Sequence, residues 1–183
     1  SEVGFEKGIA VLEGVKKSAP EETGASIALG SVYARQAEFI LAGRKLAELS
    51  SEAAKKINEL LDKATVEFST ALLKEPRLLQ ALANIAAIQR SRGQTQEAIK
   101  TLRDHLDKVK EPAEQGICRR WLAQSLVQDG KLDEAETELN AAIKVDPKEP
   151  ASHLILADVL LRRDMPEKAI DVLKTAVQVD GNF

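Results

Sequence analysis

The chain has 183 residues, of which 44% are hydrophobic but only 3% aromatic, and it carries a formal net charge of −3. Apolar content supplied mainly by Ala, Leu, Ile and Val favours close-packed helices over a β-sandwich, whose strands are richer in aromatic and β-branched side chains. The acidic balance implies no general affinity for nucleic acid. No apolar run approaches the roughly 20 residues of a membrane-spanning helix, and a single cysteine excludes an internal disulfide.

In chain order, Gly4–Lys17 places Phe5, Ile9, Leu12 and Val15 at helical spacing, and Ser18-Ala19-Pro20 ends the run. Residues 1–20 thus predict one helix without its partner, a half-repeat or a cap. Thr23–Leu49 is the next helical stretch, with Glu21, Glu22 and Thr23 as acceptors for the free amides at its start. Its spacing runs through Ala37, Ile40 and Leu41 to Leu46 and Leu49. Ser50-Ser51 followed by Glu52 is a break and a cap. A second helix, Glu52–Lys74, then carries Ile57, Leu60, Leu61, Ala64, Phe68, Ala71 and Leu72 before Glu75-Pro76. Residues 23–78 therefore predict one helix pair lengthened by several turns, whose extension projects beyond the body of the fold.

Residues 79–115 predict a shorter pair, Leu79–Arg92 and Thr95–Val109, with Gly93 in the turn. Three extra residues fall in the Lys108–Gln115 linker, where loops tolerate insertion. The last two segments, 116–149 and 150–183, say nearly the same thing twice. Thirty-four residues carry Ala123 to Ala157, Gly130 to Asp164, Ala135 to Ala169, Leu139 to Leu173 and Ala142 to Ala176. Arg119–Gln128 and His153–Arg163 predict the first helix of each pair; Leu132–Val145 and Pro166–Val179 predict the second. A fixed period of this size marks a stacked two-helix unit. Neither pair can bury its apolar face alone, so neighbours must stack.

The residues that carry this pattern are Leu122-Ala123, Gly130, Ala135, Ala142 and Pro147, then Leu156-Ala157, Ala169 and Ala176. Leu29-Gly30 with Tyr33 repeats the first-helix signature, and Gly8, Leu12, Val15 and Pro20 fall where Ala135, Leu139, Ala142 and Pro147 fall. The whole resembles the tetratricopeptide repeat. The resemblance implies an all-α, right-handed superhelix of stacked antiparallel helix pairs, with first helices lining a concave groove that holds other proteins.

On that architecture the inward-facing residues include Arg35, Gln80, Asn84, Ala87, Arg90, Arg120, Trp121, Gln124, Gln128, Asp158 and Arg162. Four arginines in an acidic chain predict a locally basic face, suited to an acidic segment or a chain terminus, because the guanidinium fork matches a carboxylate. The rival reading pairs these arginines with the chain's own glutamates. Trp121, the sole tryptophan, is either a binding anchor or a packing residue between repeats. One branch of the family clamps a C-terminal carboxylate with paired Lys and Asn. Asn84 stands in a matching column, but Ile27, Ser31, Ile117, Trp121, Ala151 and Ile155 hold the other places, so that clamp is absent.

No catalytic, cofactor or metal site is expected. His105 and His153 have no cluster of ligands at metal spacing, and Cys118 lacks a neighbouring His or second Cys, as a buried structural thiol would. The glycines are scattered at turns rather than gathered in a phosphate loop. Glu134, Glu136 and Glu138 belong on a solvated helix face. The expected function is a non-catalytic protein-interaction scaffold that takes a protein or peptide segment, of acidic character, without nucleic acid or membrane insertion. The alternatives are a self-assembling structural module of a secretion, envelope or organelle-building complex, and a regulatory domain attached to a catalytic one. Ile170, Leu173 and Val177 have nothing after them to cover them. The expectation is therefore a slice of a longer repeat protein, or a homo-oligomer joined through exposed repeat ends. The first residues lack the basic start and apolar stretch of a signal peptide, which slightly favours the cytoplasm and leaves the periplasm open.

Overall fold

The computed structural model describes residues 2–41 and 49–180. It is all-α: the described residues form α1 (Glu2–Ser18), α2 (Gly24–Leu41), α3 (Ser51–Lys74), α4 (Leu79–Ser91), α5 (Thr95–Leu106), α6 (Pro112–Gln128), α7 (Leu132–Val145), α8 (Pro150–Arg162) and α9 (Pro166–Asp180), with no strand among them. Contacts divide the chain into two compact units, Ser1–Ile88 and Gln89–Phe183, with the boundary inside α4.

In the first unit the core forms around Phe68 of α3, which is fully buried with Leu29, Ala64, Ala81 and Ile85 about it. The small-residue column is what lets α2 and α3 approach. A Cβ added at Gly30 would lie 2.8 Å from the Phe68 ring. The Lys16 ammonium reaches Glu67 at 2.6 Å and ties α1 to α3. Ser50 caps α3 as expected, its hydroxyl accepting from the Ala53 amide at 3.2 Å. Thr23 serves α2 through its carbonyl, which accepts from the Ile27 amide at 3.0 Å. Its hydroxyl donates to Glu75 at 2.5 Å, a carboxylate at the far end of α3. The long α3 is present; the expected course of its partner from residue 42 to Leu46 lies outside the described residues.

In the second unit the repeat is visible in the backbone. Each first helix ends in a residue with positive φ: Gly93 (74°), Gly130 (79°) and Asp164 (59°). The next amide then bonds back over five residues, from Gln94 to Gln89, Lys131 to Leu126 and Met165 to Leu160, at 2.8–2.9 Å. This is the glycine-type C-cap that satisfies the last carbonyls of a helix. Ala123 and Ala157 are buried, as is Ala86 in the first unit, and so are Ala98, Ala135 and Ala169 on the second helices. Leu102 and Leu139 are fully buried in a column where Leu173 is only half-buried, because no helix follows α9 among the described residues.

Several boundaries differ from expectation: α5 ends at Leu106 rather than Val109, and α8 starts at Pro150 rather than His153. The Lys108–Gln115 segment is not a simple linker, because α6 starts at Pro112, well before Arg119. Pro112 presets the helical φ at the first position, and Glu111 before it is extended. The extra residues therefore lengthen α6 at its start, where buried Gly116 packs on Val145 of α7.

Candidate protein-binding face

The predicted face residues divide between the two units. In the first, Arg35 on α2 and Gln80 on α4 are exposed, and half-buried Asn84 folds back so that its Nδ2 donates to the Gln80 carbonyl at 2.9 Å. In the second unit, α6 and α8 touch one another as first helices of successive pairs. Trp121, Gln124 and Gln128 share one side of α6 by helical spacing; the first two are half-buried and Gln128 is exposed. Gln128 Nε2 donates to the Arg90 carbonyl at 3.1 Å, and Arg90 Nη1 donates to Gln124 Oε1 at 3.5 Å, so the end of α4 is joined to α6.

The arginines of this face are not equivalent. Arg120 pairs with Glu149 at 2.7 Å and Arg162 with Asp158 at 2.9 Å, so each is neutralised from within the chain. Arg90 has no carboxylate partner among the described residues. Burial lowers its proton affinity, and no neighbouring negative charge offsets that.

The Cys118 thiol is fully buried, donates to the Leu102 carbonyl at 3.4 Å and is pushed up to about 12 by burial, which keeps it from acting as a nucleophile near neutrality. No group of three or more His, Cys, Asp or Glu is placed to hold a metal among the described residues. No helix among them is long and apolar enough to cross a membrane.

Two matches to the tetratricopeptide repeat cover residues 81–115 and 122–182, together just over half of the chain. The chain belongs to the tetratricopeptide repeat family. No curated protein sequence matches it significantly. Among solved structures, the tetratricopeptide fold of this chain is similar to MamA (residues 41 to the end) from Desulfovibrio magneticus RS-1. That likeness has a TM-score of 0.67 and 15% identity, over 96% of this chain and 85% of the other. A second similar structure is pilF of Pseudomonas aeruginosa, with a TM-score of 0.66 and 18% identity over 100% and 72%. At these identities the likeness is one of fold.

Within this tetratricopeptide scaffold, the sequence left Glu149 unmarked. It caps α8, accepting from the Ala151 and Ser152 amides at 3.2 and 2.8 Å and from the Ser152 hydroxyl at 2.8 Å, while also holding Arg120. Burial raises its pKa, but the Ser152 hydrogen bonds and Arg120 outweigh it and leave the carboxyl below its ordinary range. Glutamate is not among the favoured N-cap residues, so propensity alone does not flag it. The usable signal was its place before Pro150 and three residues before Ser152.

Proposed function

We propose that the chain is a non-catalytic interaction module whose second unit receives an extended polypeptide against α6 and the adjoining end of α4. The observation that carries this reading is the row Trp121, Gln124 and Gln128. It presents an aromatic ring and two carboxamides along one helix side, adjacent to a guanidinium that no carboxylate among the described residues matches. Carboxamides suit a polypeptide backbone because each offers both a donor and an acceptor. A face built on packed helices needs little reordering on binding, which favours affinity.

Trp121 makes the test direct, since it is the only tryptophan. Random dodecapeptides displayed on phage are panned against the whole chain, and the captured sequences are synthesised. The expected result is a shift in Trp121 emission on binding, and loss of binding in Trp121→Ala and Gln124→Ala. Captured peptides that leave Trp121 emission unchanged and bind both variants normally would place the site elsewhere.

A second reading, association with another copy through α9, is favoured by one observation. Ile170 and Val177 are 51% and 47% exposed and flank half-buried Leu173 in an apolar depression. Sedimentation of the wild type and of Ile170→Glu distinguishes it: a mass that rises with concentration only in the wild type supports self-association, and an invariant monomer removes it.

A further inference from the structure

Five arginines of the second unit lie against carboxylates. Arg103 meets Glu134 at 2.5 Å, Arg119 meets Glu138 at 2.6 Å, and Arg163 meets Asp133 at 2.6 Å. Arg120 and Arg162 have Glu149 and Asp158, as described. Arg90 breaks the pattern. It is half-buried, and the side-chain hydrogen bond it makes among the described residues is the one to Gln124, whose 3.5 Å length makes it weak.

A guanidinium that has lost water without gaining an anion is an unfavourable arrangement, which chains avoid unless a partner completes it. Arg90 lies in the last turn of α4, where the helix carbonyls supply only partial negative charge. Its backbone carbonyl accepts from Gln128, which ties the end of α4 to α6 beneath the side chain. One guanidinium bordered by neutral carboxamides matches a single monovalent carboxylate. A phosphate dianion would keep one charge unmatched.

We propose that Arg90 receives the side-chain carboxylate of a Glu or Asp within an extended polypeptide lying against α6 and the adjoining end of α4, with the Gln124 carboxamide rotating to add an N–H to the same carboxylate. The inference rests on the peptide-binding reading above and narrows it: of the three second-unit arginines expected to make the face basic, Arg90 is the one that selects an acid. Arg120 and Arg162 are occupied by their own partners.

The experiment uses the same displayed dodecapeptides, whose C termini are joined to the coat protein, so that only side chains offer carboxylates. Wild type is expected to enrich an acidic residue at one fixed position. Arg90→Gln is expected to lose that enrichment while still capturing peptides, and to bind the wild-type peptide about tenfold or more weakly, as for a lost charge-assisted hydrogen bond. Gln124→Glu supplies the carboxylate from inside the chain. It is expected to lose the acidic preference with its thermal midpoint kept or raised, which separates occupancy from misfolding. Trp121-dependent peptides with no acidic position, or an acidic preference that survives both variants, would overturn the proposal and leave the face reading intact. Arg90-dependent binding only of neutral synthetic peptides with free C termini would overturn the assignment to a side chain. Failure to capture any peptide that perturbs Trp121 would remove both.

Discussion

Arg120 of α6 reaches the Glu149 carboxylate at 2.7 Å, and that same carboxylate caps the first turn of α8. One side chain thus closes a helix and joins it to the preceding repeat. Both partners are largely shielded, at 18% and 25% side-chain exposure, so the pair is worth more than a surface ion pair.

Glu149→Ala is therefore expected to cost about 1–2 kcal/mol of stability, the upper range for a lost N-cap, because it also strands Arg120. Glu149 has a lowered folded pKa, so its contribution is fully present above the ordinary carboxyl value of 4.5 and is lost as pH falls through the lower folded value. Urea titrations at pH 7 and below pH 4.5 check both parts: the gap between wild type and Glu149→Ala should narrow only in the more acidic series.

Gly30→Ala should destabilise the first unit by about 1–3 kcal/mol, the range for overpacking, since the new methyl would lie 2.8 Å from a ring that is itself fully buried. Thermal unfolding measures the loss. The double variant Gly30→Ala with Phe68→Leu should cost less than the sum of the two single changes, because the smaller side chain at position 68 makes room for a methyl that partly fills the space it leaves.

Asp164 is the non-glycine residue in the positive-φ column shared by Gly93 and Gly130. Asp164→Gly should raise stability, by about 0.5–1 kcal/mol, because the left-handed conformation penalises a Cβ. A higher thermal midpoint with unchanged circular dichroism is the expected observation. The same substitution at an ordinary helical position would lower it.

His105 occupies the column that Ala142 and Ala176 fill elsewhere, and its Nε2 is buried without a partner. Burial lowers its pKa, and the opposing pull of Glu114 does not reverse this. Below the ordinary value of 6.5 the unfolded chain takes up a proton that the folded chain resists, so stability falls with pH from there toward the lowered folded value. His105→Ala should flatten that slope between pH 7 and pH 5, measured by the urea midpoint.

How much was legible beforehand follows from which interactions are local. Ser50 was visible as a cap because the bond it makes spans three residues. Gly93 and Gly130 were visible as turns because their conformation is a property of the residue itself. The bond from the Thr23 hydroxyl to Glu75 was not visible, because its acceptor lies fifty-two residues away. The start of α6 was misplaced because column matching among repeats carries no information about a helix longer than its relatives.

By itself the sequence determined the all-α class, the helix pairs and the columns of small residues, since periodicity and glycine turns act over a few residues and repeat along the chain. Tertiary structure alone decided which charges are neutralised. Arg90, Arg120 and Arg162 all lie on first helices, yet among the described residues carboxylates meet two of them and not the third. Whether a guanidinium is satisfied depends on which side chains the packing of successive helices brings within a few ångströms, and residue order does not record that distance.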